Sequence, residues 1–292
     1  MPEAYDVRDK VVFITGGARG IGAETARQLV AKGARVVLAG LEPDELDRRA
    51  AELGRDRVAW FEADVTDSGA VQAAVDGAVQ RFGGIDVVIA NAGIGASTPV
   101  ATVDPAVFDT VVRVNLGGVF RTLHATLPHV TARRGYVLPV ASLAAALHAP
   151  LMGAYSATKA GTEALADAVR GEVAHTGTRV GCAYFGFIDT DMVRRGFDSD
   201  SGRRAADSMG LFGPKHSVPV SRAGAAIVRG IERRSRYVYA PRWVLAMLLG
   251  RTLFQPLQDL GLRRQDMATI LAEAEREPAS LTTEQPEGAR SQ

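Results

Sequence analysis

The sequence predicts an α/β fold in which helices cover both faces of a doubly wound parallel sheet. Short apolar runs alternate along the chain with stretches of helical periodicity, an order typical of βαβ units. The runs are nearly continuous in Val, Ile and Ala, as expected for strands that are buried on both faces. Hydrophobic residues make up 47% of the 292 residues, which is enough for a large core.

The apolar runs define the strands in chain order. Six of them are predicted as central strands and cover residues 10–15, 35–39, 57–63, 85–90, 135–141 and 178–185. A seventh run, RYVYA, ends at Ala240 and is predicted as a strand at the sheet edge. Amphipathic stretches between the runs, such as ETARQLVAK and SGAVQAAVDGAVQRF, are predicted as helices.

Residues 1–240 are therefore predicted to form a single domain. Within it, residues 191–217 are rich in Gly, Ser and charge, which predicts a loop or a mobile helical lid. Residues 241–276 are predicted as a helical extension packed on the domain, with Leu245, Leu248 and Leu249 at helical spacing and an interruption at Pro256. The polar composition of residues 277–292 predicts a disordered tail.

Charge, cysteine and histidine usage argue against several classes of function. The formal net charge of +1 gives no general attraction to nucleic acid, so no nucleic-acid partner is expected. Cys182 lies in an apolar run and is predicted to be a core residue; a single cysteine fits a reducing compartment such as the cytoplasm. The five histidines form no metal-binding pattern, so no metal is expected. No apolar run reaches the roughly 20 residues of a membrane span.

A glycine-rich turn, TGGARGIG, follows the first strand directly over residues 15–22. Its glycines at positions 16, 20 and 22 permit a tight turn and let a pyrophosphate approach the backbone closely. A helix begins at once, so its free N–H groups are available to an anion. With a strand before it and a helix after it, the turn predicts dinucleotide binding.

Further motifs make this pattern specific. They are NAG at residues 91–93, Asn115 in VNLGG, Ser142 at the end of the fifth strand, and Tyr155 followed by Lys159. Together with the glycine turn and the intervals between them, these motifs resemble the short-chain dehydrogenase/reductase family over about residues 8–240. The resemblance implies a Rossmann-like fold and hydride transfer between a nicotinamide cofactor and a secondary alcohol or ketone.

The resemblance assigns catalytic roles to four residues. Tyr155 would be the general acid/base, although a free tyrosine, with a pKa of about 10, is a poor base at neutral pH. Lys159 lies one helical turn away, and its charge is expected to favour the phenolate and so lower the pKa of Tyr155. By the resemblance, Lys159 also holds the nicotinamide ribose, Ser142 hydrogen-bonds the reacting oxygen, and Asn115 keeps a water in a proton relay.

The resemblance also assigns contacts with the cofactor. They are Gly16, Arg19, Gly20, Ile21 and Gly22 in the glycine turn, Gly40 after the second strand, Asp64 and Val65 near the adenine, Asn91, Ala92 and Gly93, Tyr155 and Lys159, and Ile188 and Thr190 near the nicotinamide. Asp64 is also a possible N-cap of the helix that begins near Ser68, but Asp67 is the better candidate for that cap. The chain has Phe185-Gly186 where the family usually has Pro-Gly, so a differently shaped loop is expected there.

The choice of cofactor depends on the end of the second strand. An NAD enzyme usually has an acidic residue there, which binds the ribose 2′-OH. This chain has Gly40, which leaves room for a phosphate, and Arg19 is placed to bind a 2′-phosphate. Glu42 acts against this interpretation, either by repelling a phosphate or by binding the ribose hydroxyl. NADP(H) is the favoured cofactor and NAD(H) is the alternative.

Two classes of function are compatible with these motifs. One is an NAD(P)-dependent alcohol dehydrogenase or carbonyl reductase, and the other is a dinucleotide-binding sensor or scaffold of the same fold without chemistry. The complete catalytic set favours the enzyme. Apolar residues in the extension favour a small-molecule substrate that is a bulky, hydrophobic alcohol or carbonyl compound, such as a steroid or a long-chain carbonyl, and the resemblance implies a homodimer or homotetramer. Peripheral contact between the extension and a membrane is the less favoured alternative.

Overall fold

The computed structural model describes residues 4–196, 198–208, 216–262, 267–277 and 281. Its central sheet contains β1 (Val11–Thr15), β2 (Arg35–Gly40), β3 (Val58–Glu62), β4 (Val87–Ala90), β5 (Tyr136–Pro139) and β6 (Arg179–Val180). These strands lie in the order β3-β2-β1-β4-β5-β6, and all neighbours are parallel. The predicted doubly wound parallel sheet is confirmed. The strand order reverses between β1 and β4, where open α/β sheets bind their ligands.

Helices cover both faces of the sheet. The helices that pack on it are α1 (Gly20–Ala31), α2 (Pro43–Leu53), α3 (Ser68–Phe82), α4 (Pro105–Val112), α5 (Gly118–Ala132), α6 (Gly153–Glu172) and α9 (Val220–Arg233), and two further helices, α7 (Asp191–Gly196) and α8 (Asp200–Ser208), lie in the predicted lid segment. Successive residues of β1 belong to opposite cores: Phe13 packs with α3, α5 and α6, and Ile14 packs with α1, α2 and α9. This two-sided burial explains why the strands are apolar at nearly every position.

The predicted strand over residues 178–185 is divided at Gly181. The structure has β6 and then β7 (Cys182–Phe185), and β7 pairs with β10 (Tyr237–Ala240) at the predicted sheet edge. A Cβ atom at Gly181 would lie 2.1 Å from the hydroxyl of Tyr136 and 2.3 Å from the carbonyl oxygen of Ser235. Glycine is therefore required for these neighbours to approach the strand.

The described part of the predicted lid is helical. It contains α7 and α8, followed by β9 (Val218–Pro219), which pairs in parallel with β8 (Ile188–Asp189). Of the two alternatives for this segment, the structure shows helix over residues 191–196 and 200–208. Residues 197 and 209–215 of this segment lie outside the described residues.

The C-terminal extension consists of α10 (Trp243–Leu249), α11 (Arg251–Leu262) and α12 (Met267–Arg276). The predicted interruption at Pro256 is wrong, because Pro256 lies inside α11. The break occurs instead at Gly250, where a Cβ atom would lie 2.6 Å from the ring of Phe254. The predicted apolar face is also shifted: α10 buries Val244, Met247 and Leu248, and the side chain of Leu249 is 69% exposed.

Two residues of the predicted disordered tail have defined contacts. The carboxylate of Glu277 accepts hydrogen bonds from Ser201, and Leu281 forms an antiparallel bridge with Ala96. Residues 278–280 and 282–292 of that prediction lie outside the described residues. In the part of the chain that the structure describes, none of the helices has the length and apolar character needed to cross a membrane.

Candidate active site

A cavity of about 310 Å³ lies at the carboxyl ends of the central strands. Most of the predicted site residues line it, namely Gly16, Arg19, Gly20, Ile21, Gly40, Asn91, Ala92, Gly93, Ser142, Tyr155, Lys159, Ile188 and Thr190. The structure therefore brings the glycine turn, the NAG segment and three of the four predicted catalytic side chains to one place. This volume is within the usual range for small-molecule sites.

The glycine turn is packed closely against the end of β4. Gly16 has a φ of +65°, and a Cβ atom on it would lie 2.9 Å from the Cα of Ala92. A Cβ atom on Gly22 would lie 2.2 Å from the carbonyl oxygen of Gly16. The side chain of Asn91 donates to the carbonyl oxygens of Thr15 and Gly16 at 3.0 and 3.1 Å and so fixes the turn from the other side.

Helix α1 begins directly at this turn with Gly20. Its N-cap residue, Arg19, makes no capping hydrogen bond with its side chain. The N–H groups of the first helical turn therefore face the cavity without a side-chain cap, which is the arrangement that binds a phosphate group.

Asn115 supports the site from behind the cavity wall. It lies in a π-helical turn, Arg113–Gly117, between α4 and α5, and it is completely buried. Its Oδ1 accepts from the N–H of Ile94 at 2.8 Å, and its Nδ2 donates to the carbonyl oxygen of Ile94 at 2.8 Å and to Thr158 at 3.2 Å. Asn115 thus connects the segment after β4 with α6, the helix that carries Tyr155 and Lys159.

Tyr155, Lys159 and Ser142 meet at the inner end of the cavity. Tyr155 and Lys159 lie on α6, and the Nζ of Lys159 donates to the carbonyl oxygen of Val140 at 2.9 Å. Ser142 follows β5; its hydroxyl donates to the carbonyl oxygen of Phe185 at 3.4 Å, accepts from the N–H of Ala144 at 3.2 Å, and lies close enough to Tyr155 to affect the pKa of the phenol. This arrangement can hold an oxygen atom of a substrate beside two hydroxyl groups.

Burial shifts both titratable side chains of α6 toward their neutral forms. Desolvation raises the pKa of Tyr155, and the hydrogen bond with Ser142 opposes this rise. The predicted lowering of the Tyr155 pKa is therefore not found, because removal of the phenol from water outweighs the opposing effect of Ser142. Burial also lowers the pKa of Lys159 to about 8, since the ammonium group has lost its hydration.

The outer end of the cavity carries an ion pair. The Nε of Arg19 donates to the Oε1 of Glu42 at 2.7 Å, and both side chains line the cavity and are partly exposed to solvent. Glu42 raises the pKa of Arg19 through this hydrogen bond. Next to them, a Cβ atom on Gly40 would meet only the side chain of Leu46, at 3.8 Å, so this position is open.

Four predicted site residues do not line the cavity. Asn115 and Gly22 have the supporting contacts described above. The Oδ1 of Asp64 accepts from the N–H of Thr66 at 2.8 Å. Val65 packs against Gly118, where a Cβ atom would lie 2.7 Å from the Cγ2 of Val65. Asp67 caps α3, as predicted, by accepting from the N–H groups of Gly69 and Ala70.

Other residues of the cavity wall were not predicted. They are Ala18, Leu41, Val140, Ala141, Phe185, Gly186, Asp191, Met192, Val193 and Arg195. Most of them follow the carboxyl end of a strand, and that position is the only sequence signal that points to them. The described residues contain no group of three or more His, Cys, Asp or Glu side chains placed to hold a metal ion.

Comparison with known proteins identifies the family. The family model described as short chain dehydrogenase matches residues 10–200, which is more than half of the chain. This protein belongs to the short-chain dehydrogenase/reductase family. It is therefore an oxidoreductase with a Rossmann fold that uses a nicotinamide cofactor.

Individual members of the family are similar to this chain in sequence or in structure. Momilactone A synthase of Oryza sativa subsp. japonica is 38% identical over 202 residues, which cover 68% of this chain and 73% of that protein. Levodione reductase is similar in structure, with a TM-score of 0.74, 29% identity, and coverage of 82% of this chain and 98% of that chain. The 3-ketoacyl-(acyl-carrier-protein) reductase from Brucella melitensis, solved with NADH, has a TM-score of 0.71 and 25% identity, covering 80% and 97%.

Proposed function

We propose that this protein is an NADP(H)-dependent carbonyl reductase or secondary-alcohol dehydrogenase in which Tyr155 is the general acid/base. The observation that carries the proposal is that Ser142, Tyr155 and Lys159 line one cavity together with the glycine turn. The glycines leave backbone space for a dinucleotide along that cavity, and the cofactor, when bound, supplies or accepts the hydride.

Tyr155 is proposed to transfer the proton. Its raised pKa keeps the phenol protonated at neutral pH, which suits a proton donor to a carbonyl oxygen during reduction. In the direction of oxidation, the same phenol oxygen receives the proton of the alcohol. Ser142, which lines the cavity beside Tyr155, orients the reacting oxygen of the substrate.

Lys159 and Asn115 are proposed to support this proton transfer. With a pKa of about 8, Lys159 is mainly protonated at neutral pH and can hold the ribose hydroxyls of the cofactor. Asn115 holds the backbone of Ile94, next to Gly93, and a Cβ atom on Gly93 would lie 3.5 Å from the Nζ of Lys159. The water of the proton relay is proposed to lie behind this lysine.

NADP(H) is proposed as the preferred cofactor, with NAD(H) as the alternative. Gly40 leaves space beside the outer end of the cavity, and Arg19 lines the cavity at the same end. The Nε of Arg19 donates to Glu42, which leaves the two terminal nitrogens of the guanidinium group to donate to a 2′-phosphate in a forked contact. Glu42 then orients Arg19, although its charge opposes the phosphate.

The substrate is proposed to be a small hydrophobic ketone or secondary alcohol. The cavity that contains Tyr155 is also lined by the apolar residues Val140, Ala141, Phe185, Met192 and Val193. An apolar wall with a few convergent polar groups is typical of sites for small organic molecules.

The experiment is incubation of the purified protein with NADPH or NADH and a panel of hydrophobic cyclic and aromatic ketones, following the absorbance of the reduced nicotinamide. Oxidation of NADPH that requires a ketone supports the proposal. Tight binding of NADPH without turnover of any ketone or alcohol would instead support the dinucleotide-binding sensor.

A homodimer or homotetramer in the cytoplasm is proposed for the assembled protein. Phe108 of α4 and Phe120 of α5 are 38% and 55% exposed, which supports a subunit interface on these helices. Sedimentation of the full chain, with and without anionic liposomes, measures the assembly and tests the less favoured membrane contact.

A further inference from the structure

We propose that helix α12 positions the substrate side of the active site through Leu151, so that Ile270 influences how tightly the carbonyl substrate binds. The inference rests on the proposed function for its kinetic part. Ile270 does not line the cavity, and it is therefore proposed as a positioning residue and not as a catalytic one.

Leu151 lies in the segment that connects Ser142 with Tyr155. Its φ is +66°, a backbone conformation that is uncommon for a bulky residue. The residue is buried, with 5% of its surface exposed. Its carbonyl oxygen accepts from the N–H of Thr98 at 2.9 Å, and the adjacent Met152 forms a parallel bridge with Thr98. Such a conformation persists only where the surroundings hold it, and these are often functional sites.

Helix α12 supplies the packing that holds Leu151. Ile270 and Ala274, one turn apart on α12, form a buried cluster with Leu151 and with Ala205 of α8, and Met267 packs against it. Three segments thus share one apolar cluster: the connection between Ser142 and Tyr155, helix α8 and helix α12. Deleting the side chain of Ile270 removes the largest buried side chain that α12 contributes.

Polar contacts join α8 to the C-terminal segment as well. The Nε of Arg204 lies 2.9 Å from the Oε2 of Glu273, which is on α12. Ser201, which is 2% exposed, donates from its backbone N–H to Glu277 at 3.1 Å, and its hydroxyl also bonds to this carboxylate. Helix α8 is therefore fixed to the C-terminal segment by an ion pair and by a buried serine.

The position of α8 matters for the cavity because α7, which lines the cavity, ends at Gly196 and α8 begins at Asp200, a short way along the chain. Helix α7 contributes Met192, Val193 and Arg195 to the cavity wall, and Ser142 and Tyr155 stand on either side of the segment that contains Leu151. Because Ile270 and Ala274 share a buried cluster with both α8 and Leu151, loosening α12 is expected to shift α7 relative to Ser142 and Tyr155. The glycine turn and Glu42 belong to the other end of the cavity, and neither is part of the cluster.

The first test compares Ile270→Ala with Leu271→Ala in the full chain. Leu271 lies on the same helix, is 36% exposed and is not part of the cluster, so it is a matched control. With NADPH and the best ketone, Ile270→Ala is expected to raise the KM for the ketone at least fivefold, with less than a twofold change in kcat and in the Kd for NADPH. Equal effects of both variants, or a parallel rise in the Kd for NADPH, would overturn the proposal.

A second test does not depend on turnover. Hydrogen exchange of the full chain with NADPH bound is expected to accelerate over residues 143–152 and 198–208 in Ile270→Ala and not in Leu271→Ala. Unchanged exchange in both variants counts against the role of α12, whereas failure of every ketone to react counts only against the proposed function.

The ion pair gives a variant that leaves the apolar cluster intact. Arg204→Glu and Glu273→Arg are each expected to accelerate hydrogen exchange over residues 198–208. The double variant R204E/E273R is expected to restore the slower exchange of the wild-type protein. If Ile270→Ala does not fold, the variants of Arg204 and Glu273 test the proposal in its place. A double variant whose hydrogen exchange is as fast as that of the single variants would overturn the proposal.

Discussion

The ammonium nitrogen of Lys159 lies 5.5 Å from the centre of the Tyr155 ring, one helical turn away on α6. Burial acts on the two side chains in opposite directions, since it raises the pKa of Tyr155 and lowers that of Lys159. Both shifts favour the neutral forms. At neutral pH the phenol is thus a protonated donor, and the lysine holds its proton less firmly than a lysine in water.

Replacement of Tyr155 by Phe tests the acid/base role. The variant keeps the ring packing and loses only the hydroxyl, so turnover is expected to fall by at least about 10²-fold while NADPH binding is retained. Tyr239→Phe, on β10, is the control and is expected to leave turnover within twofold. A Tyr155→Phe enzyme that works near the wild-type rate would show that another group transfers the proton.

Lys159 is expected to make stability depend on pH in a defined window. Its pKa is about 8 in the folded protein and 10.5 when the side chain is fully hydrated, so the unfolded chain binds more protons between these values and the wild-type free energy of unfolding rises with pH there. Lys159→Met has no such titration. Below about pH 8 the variant is expected to be the more stable protein, by on the order of 3 kcal/mol before the loss of the hydrogen bond to Val140 is subtracted.

Urea unfolding of both proteins near neutral pH and at about pH 10 measures this difference. Other groups that titrate at high pH contribute equally to the free energy of unfolding of both proteins, so their contribution cancels in the difference. The advantage of Lys159→Met is expected to shrink as the pH rises through the window, and an advantage that grows would contradict the assigned direction of the pKa shift.

The pair of Arg19 and Glu42 is expected to decide between the two cofactors. If Arg19 binds the 2′-phosphate, Arg19→Ala lowers kcat/KM for NADPH about tenfold because a charge-assisted contact is lost. Glu42→Gln then raises kcat/KM for NADPH by roughly fivefold, since a carboxylate near the phosphate is neutralised. A Glu42→Gln variant that loses efficiency with NADH and gains none with NADPH would mean that Glu42 binds the ribose hydroxyl.

The glycine turn is expected to tolerate no side chain at Gly22. A Cβ atom there would lie 2.2 Å from the carbonyl oxygen of Gly16, so Gly22→Ala must displace the turn and is expected to cost about 1–3 kcal/mol and most of the affinity for cofactor. Gly171→Ala is the matched control, because a Cβ atom at this position of α6 would have no neighbour within 4 Å. It is expected to stabilise the protein by up to about 1 kcal/mol. Thermal unfolding and NADPH titration distinguish the two outcomes, and equal behaviour of the two variants would contradict this account.

Much of the cavity wall was predictable from short motifs. The glycine turn, Asn91 to Gly93, Ser142, Tyr155 and Lys159 are each recognisable from a few neighbouring residues, and the structure places all of these motifs on one cavity. Met192, Val193 and Arg195 were missed because α7 has no motif, and only the path of the chain after β8 brings it over the cavity.

The sequence by itself determined the alternation of strands and helices and the glycine turn that follows β1, because periodicity and turn chemistry act over a few residues. Only the tertiary structure decided that Glu42 pairs with Arg19, that Leu151 packs against Ile270, and that the pKa of Tyr155 rises. The first two depend on which distant segments meet. The third depends on how much water the surrounding segments remove from the phenol, and desolvation is a property of the folded environment that no local pattern encodes.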